Sequence, residues 1–81
     1  MLITNAMKLC TERGFHGRVE WIGYGYYAFV IRTTAGRYCL PVTQGIGSVQ
    51  DTGQVNAYVI EAILLHDKPA ASPRVEGSRE G

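Results

Sequence analysis

The sequence predicts a mainly β domain preceded by a short helix. The stretch 17–32 is dense in aromatic and β-branched residues, and part of it alternates apolar with polar residues, which is typical of strands. Gly23, Gly25 and Gly36 divide this part of the chain into pieces of strand length. With 81 residues and a hydrophobic content of 46%, the chain is expected to build one globular core.

The helix is predicted over residues 3–13. Four apolar residues lie at positions i, i+3, i+4 and i+7 of this segment, namely Ile3, Ala6, Met7 and Cys10. Gly14 suits the left-handed residue that ends such a helix. Because a helix this short is marginal in isolation, its apolar stripe is expected to pack against the rest of the fold.

Three strands are predicted to follow the helix, over residues 18–22, 26–32 and 37–43. Residues 23–25 and 34–36 contain the glycines expected in the two connecting turns. Pro41 has no amide hydrogen to donate to a neighbouring strand. It therefore places the third strand at a sheet edge or at a bulge.

A predicted loop at 44–53 is followed by an ambiguous segment, 54–65. As a helix, the segment would begin at a capping box formed by Asp51 and Gln54, with apolar residues at helical spacing. As a strand, it would have four residues on one face, Tyr58, Ile60, Ala62 and Leu64. These local rules leave both interpretations open.

The formal net charge is only +1, but the charge is unevenly distributed. Residues 13–38 hold four arginines and one glutamate, a local charge of +3, whereas residues 39–68 hold three acids and one lysine, a local charge of −2. The aromatic stretch lies in the basic part, which has the polarity that an anionic ligand requires. Ordinary solvated strand residues would give the same count, and the sequence leaves that alternative open.

The remaining composition argues for a cytoplasmic binding protein. The two cysteines lie far apart, and no apolar run approaches the roughly 18 residues of a membrane span. No two of the cysteine and histidine residues have metal-ligand spacing, so neither a metal site nor a cofactor is expected. No nucleophile lies close in sequence to a base, and the carboxylates are scattered, so enzymatic activity is not expected.

Four short motifs occur in a characteristic order along the chain. They are Gly-Arg-Val-Glu-Trp-Ile at 17–22, Gly-Tyr-Gly-Tyr at 23–26, Arg-Tyr-Cys-Leu-Pro-Val-Thr at 37–43, and Gly-Gln followed by tyrosine and isoleucine at 53–60. In this order they resemble the first strand, the two ribonucleoprotein motifs and the entry to the fourth strand of the cold-shock domain. That family has five-stranded OB-fold barrels that bind single-stranded RNA or DNA.

The resemblance implies a five-stranded, OB-like barrel over residues 15–76. The apolar spacing places the N-terminal helix within 1–14, and the composition of the last residues predicts a disordered tail at 77–81. The resemblance favours the strand interpretation of 54–65 and places a fifth strand within 65–75. The alternative fold is an α+β domain, with a three-stranded antiparallel sheet and two helices.

The resemblance also implies a surface on which exposed rings stack on bases and cations contact phosphates. The predicted site consists of seven residues, Trp21, Tyr24, Tyr26, Tyr38, Arg18, Arg32 and Arg37. The alternative for Trp21 is burial in the core, because a regular strand places it on the same face as Val19.

A protein-interaction module is the competing functional interpretation. Tyrosine, tryptophan and arginine dominate the energetics of protein interfaces, and a near-neutral net charge suits a protein partner. In size and type the chain also resembles small phage or mobile-element inhibitors such as anti-CRISPR proteins. The aromatic patch would then bind another protein or a second copy of the chain.

Overall fold

A three-stranded antiparallel sheet organises the fold in the computed structural model, which describes residues 1–70. The strands are β1 (His16–Gly23), β2 (Tyr26–Thr33) and β3 (Gly36–Pro41). They lie side by side in chain order, so β2 is central and the sheet consists of two hairpins. The three predicted strands are confirmed, with bounds that differ by one or two residues.

Each hairpin turn consists of two residues. Tyr24 and Gly25 connect β1 to β2 with φ values of 54° and 78°, and these left-handed signs are those of a type I′ turn. Thr34 and Ala35 connect β2 to β3. In this turn the Thr33 hydroxyl oxygen accepts a hydrogen bond from the Ala35 amide, with a donor–acceptor distance of 3.1 Å. Both predicted turns are confirmed.

Two ten-residue helices, α1 (Ile3–Glu12) and α3 (Ala57–His66), pack on one face of the sheet; the four-residue α2 (Val49–Thr52) precedes α3. The core between these layers includes Ile3, Ala6, Cys10, Ile60, Ile63 and Leu64 of the helices and Phe29, Ile31 and Leu40 of the sheet. The predicted helix at 3–13 is therefore confirmed, together with its buried stripe. No helix in residues 1–70 is long and apolar enough to cross a membrane.

Helix α1 lies very close to β1 at Gly17. A Cβ atom on Gly17 would lie 2.9 Å from Cζ of Phe29 and 3.0 Å from Sγ of Cys10. Only a residue without a side chain allows this approach. Cys10 lies on the buried side of α1, and this burial raises the pKa of its thiol, because it disfavours the charged thiolate.

The position of Pro41 agrees with its missing amide hydrogen. The Val42 amide donates to the Tyr27 carbonyl at 3.3 Å, so alternate residues of β3 direct their backbone groups toward β2. The nitrogen of Pro41 consequently faces away from the sheet. Of the two predicted places for Pro41, a sheet edge or a bulge, the structure shows the edge.

The strand interpretation of 54–65 is wrong, because most of this segment forms helix α3. The side-chain oxygen of Asn56 accepts the amides of Tyr58 at 2.9 Å and Val59 at 3.3 Å, which caps the first turn. A strand would have placed Tyr58 and Ile60 on the same face. In the helix, Ile60 is buried and Tyr58 is 84% exposed.

The structure has the α+β architecture, and residues 1–70 do not contain a closed five-stranded barrel. The sheet is open, with β1 and β3 at its edges. Helices α1 and α3 cover its apolar face, so the sheet does not need to close in order to bury that face. The fifth strand predicted within 65–75 overlaps the end of α3, and beyond the helix Pro69 forms a single antiparallel bridge with Thr33. Residues 71–75 and the predicted tail at 77–81 lie outside the described residues.

Candidate nucleic-acid interface

The candidate interface is the side of the sheet opposite the helices, which we call the open face. Cross-strand partners in an antiparallel sheet point to the same side, so the strand register assigns each residue to a face. The open face consists of His16, Arg18, Glu20, Tyr26, Ala28, Val30, Arg32, Arg37, Cys39 and Pro41. Ala28 and Val30 at its centre are buried, but none of these residues belongs to the core cluster that packs against the helices.

A row of basic residues crosses one end of the open face. In the register, Arg32 on the central strand is directly opposite His16 on one side and Arg37 on the other. Arg18 is two residues along β1 from His16, opposite Val30. Like charges that are directly opposite each other are unfavourable in a sheet, so a bound anion would stabilise this row.

Glu20 is the acidic residue of the open face, and two arginines bind it. Its Oε2 atom accepts a hydrogen bond from Nε of Arg18 at 2.8 Å and forms an ion pair with the same guanidinium. Nη1 of Arg37 lies 4.0 Å from the same oxygen. The arginine side chains are 54% and 57% exposed, so these pairs are weak and leave both guanidinium groups accessible to a ligand.

Exposed apolar side chains gather at the other end of the sheet, around the β1–β2 turn. Trp21 is 65% exposed, Ile22 62%, Tyr26 68% and Tyr24 97%. Tyr26 and Arg32 are six residues apart in β2, which is about 20 Å at the rise of a strand. The rings and the basic row therefore lie at opposite ends of the sheet.

Tyr24 has an unfavourable backbone conformation. It is the only non-glycine residue with positive φ in the described part of the chain. A left-handed conformation costs an ordinary residue about 1 to 2 kcal/mol, and asparagine, aspartate or glycine suits this turn position better. Because the side chain is 97% exposed, packing does not offset this cost.

We expect Tyr24→Asn to raise the free energy of unfolding by about 0.5 to 1 kcal/mol, because asparagine tolerates the left-handed conformation of this type I′ turn. Denaturant unfolding measures the change. Gly25→Ala is the control, since a side chain at φ 78° in the same turn should destabilise the fold. A Tyr24→Asn variant that is less stable than the parent would contradict this account of the turn.

The alternative prediction, that Trp21 is buried in the core, is wrong, because its side chain is exposed. It pairs with Tyr27 and thus has the same orientation as Val19, on the helical side of the sheet. Val19 packs against the core, whereas Trp21 lies one step nearer to the turn, where it remains 65% exposed. The register irregularity in β1 falls after Trp21, between it and Gly23, and does not change this orientation.

The seven predicted site residues therefore occupy three places. Arg18, Arg32, Arg37 and Tyr26 share the open face, and Trp21 and Tyr24 lie at the turn. Tyr38 is opposite Ile31 on the helical side. There, a hydrogen bond to Asp67, followed by the negative charge of that carboxylate, raises the pKa of the Tyr38 hydroxyl. Tyr38 is thus separated from the arginines by the sheet.

Sequence reasoning missed His16 as a member of the open face. The predicted first strand begins at residue 18, which leaves His16 outside the sheet. Extending the two-residue period backward from Glu20 through Arg18 would have placed His16 on the same face. The same period predicts correctly that Glu20 shares a face with Arg18, although Glu20 is not one of the seven predicted site residues.

Comparison with known proteins gives no relative for this chain. No family model matches it. No curated protein and no solved structure gives a significant match either. The residues of the open face and of the β1–β2 turn are therefore the basis for a functional assignment.

Proposed function

We propose that this chain is a small, non-enzymatic module that binds single-stranded RNA or DNA on its open face. The supporting observation is that Arg18, Arg32 and Arg37, from three different strands, share the helix-free side of the sheet. Guanidinium groups match the geometry of phosphate oxygens and can donate two hydrogen bonds at once. A basic row of this kind would bind the sugar-phosphate backbone.

The rings supply the reason to prefer single strands. Tyr26 is on the same face as the arginines, and Tyr24 is exposed at the turn beyond it. Trp21 is exposed on the helical side, next to the same turn, so a bound strand would reach it only by passing around the turn. A single strand that follows β2 would bring phosphates to the basic row and unpaired bases to the rings. Stacking of a base on an exposed ring is worth about 1 to 3 kcal/mol. In a duplex the bases are already stacked and paired, so the rings would contribute little.

Fluorescence titration with oligothymidylate and oligouridylate at several salt concentrations tests the proposal. Trp21 is the only tryptophan, so a base stacked near it should quench the emission. Binding should weaken as salt rises, with a slope of about −2 in the plot of log K against log salt, because each phosphate contact with a single strand contributes about −0.7.

Two controls accompany this titration. A duplex of the same length should bind more weakly than the single strand, and Tyr24→Ala should weaken single-strand binding about 5- to 150-fold if one base stacks on that ring. Absence of quenching and of binding at low salt and micromolar protein would refute the proposal. Equal binding of duplex and single strand would mean that the aromatic rings do not contribute to binding.

A protein-binding hairpin is the second candidate function, and the conformation of Tyr24 is the observation that favours it. Trp21, Ile22 and Tyr24 are exposed together, and no charged residue lies between positions 21 and 31. Exposed tryptophan and tyrosine often provide most of the binding energy at protein interfaces. Sedimentation without nucleic acid separates the candidates: a concentration-dependent dimer that buries Trp21 would favour the interface, and a monomer with exposed Trp21 would favour stacking.

A further inference from the structure

We infer that Glu20 determines which anions the open face accepts, selecting polyanions over isolated phosphate ions. This inference rests on the proposed binding of nucleic acid. In the free protein the carboxylate of Glu20 is bound by Arg18 and lies within ion-pair distance of Arg37. It therefore occupies the Nε donor of Arg18 and partly neutralises both guanidinium groups, which otherwise remain accessible to a phosphate.

The contacts of Glu20 converge on one carboxylate oxygen. Oε2 accepts from Nε of Arg18 at 2.8 Å and lies 4.0 Å from Nη1 of Arg37. Carboxylate and phosphate oxygens accept the same charge-assisted hydrogen bonds from guanidinium groups. A phosphate and the Glu20 carboxylate consequently compete for Arg18, and the negative charge of Glu20 repels the phosphate.

Arg32 is the basic residue that this competition leaves available. It forms no ion pair with any acid in the described part of the chain, and it lies directly opposite His16 and Arg37. An incoming phosphate chain would contact Arg32 first and then displace Glu20 from the other two arginines. The surface ion pairs are weak, so several linked phosphates can displace them, because contacts after the first are intramolecular. A lone phosphate ion lacks that advantage.

The test compares Glu20→Gln with the wild-type chain and with Glu61→Gln as a matched control. Glu61 is exposed on α3, on the helical side of the sheet, so its replacement gives the same change of net charge away from the open face. The probes are a short oligothymidylate and inorganic phosphate, measured at several salt concentrations.

Glu20→Gln is expected to bind oligothymidylate about 3- to 10-fold more tightly than the wild type, with measurable binding of inorganic phosphate. Its salt slope should stay near the wild-type value, because the same three arginines contact the phosphates in both proteins. Glu61→Gln should match the wild type within about twofold, because its charge is distant and screened.

The failures of the inference and of the proposed function are distinguishable. If the wild type binds oligothymidylate and Glu20→Gln binds it no more tightly than Glu61→Gln, the inference is overturned and the proposed function stands. If none of the variants binds, both are overturned. Glu20→Thr provides a second variant with the same charge change and a side chain that favours strands, which guards against a folding defect in Glu20→Gln.

Discussion

The double substitution of Arg32 and Arg37 by glutamine is expected to weaken oligonucleotide binding about 10- to 100-fold at low salt, while slightly stabilising the fold. Each arginine supplies a phosphate contact in the proposed interface. Loss of two contacts should reduce the salt slope by about 1.4, since each contributes about 0.7 for a single strand. The titration used for the wild type measures both quantities.

The small stabilisation follows from the register. Arg32 and Arg37 are directly opposite each other in neighbouring strands, at a position that does not share backbone hydrogen bonds. Side chains approach most closely at such positions, and like charges there are unfavourable by roughly 0.2 to 1 kcal/mol. A loss of binding that accompanies unchanged or higher stability would therefore be a local effect on the interface and not a result of unfolding.

The matched control is the double substitution of Lys8 and Arg13 by glutamine. Both residues are exposed, Lys8 on α1 and Arg13 at its C-terminal cap. This variant therefore removes an equal number of positive charges, two, but from the helical side of the sheet. It should lose no more than about threefold in affinity, because charges beyond a Debye length are largely screened. Equal losses in the two double variants would mean that net charge, and not the open face, drives binding.

The sheet could be predicted from sequence because its signals are local. The glycines at the first turn and Pro41 each restrict the backbone in ways that depend on few neighbours. The tight turn at Tyr24 and Gly25 and the edge position of Pro41 appear in the structure as those restrictions require. Closure of a sheet depends instead on what covers its apolar face, which no local pattern of strand residues reports.

Helix α3 illustrates the limit of propensity rules. Its valine, tyrosine and isoleucine residues favour strands, and the motif resemblance at 53–60 reinforces that interpretation. The deciding signal is Asn56, whose side chain caps the two amides that begin the helix. The capping box expected at Asp51 and Gln54 lies too early in the chain; Asp51 instead pairs with Ser48 in the cap of α2.

The candidate site, like the sheet, was predictable in part because some of its signals are local. The period of two residues along β1 and β2 is a local property, and it brings the arginines and Tyr26 to one face. The distance between the rings and the basic row depends on strand length and register, which sequence patterns give only coarsely. The separation of Tyr38 from the arginines required the register of β3 against β2, since Tyr38 and Arg37 are neighbours in sequence but point to opposite faces.

Gly17→Val is expected to lower the free energy of unfolding by about 2 to 4 kcal/mol, which is a large part of the stability of a domain this small. A Cβ atom at this position would lie 2.9 Å from Cζ of Phe29, a side chain that is completely buried. Valine adds two further methyl groups in the space between α1 and β1. Either the helix must move off the strand or Phe29 must leave its place in the core, so the melting temperature should fall by about 10 to 25 °C.

A double-mutant cycle with Cys10→Ala identifies the cause of this loss. Sγ of Cys10 lies 3.0 Å from the position of the added Cβ atom, so its removal should relieve part of the overlap. The double variant should be more stable than the sum of the single effects predicts, by about 0.5 to 3 kcal/mol. Strict additivity would show that the two sites do not share this contact.

Gly45→Val is the control for the substitution at Gly17. A Cβ atom on Gly45 would have Cβ of Thr52 as its nearest neighbour, at 3.8 Å, which is an ordinary van der Waals contact. We therefore expect its free energy of unfolding to change by less than about 0.5 kcal/mol. A comparable loss at Gly45 would mean that valine is unfavourable for general backbone reasons, and that the close approach of α1 to β1 is not what makes glycine necessary at position 17.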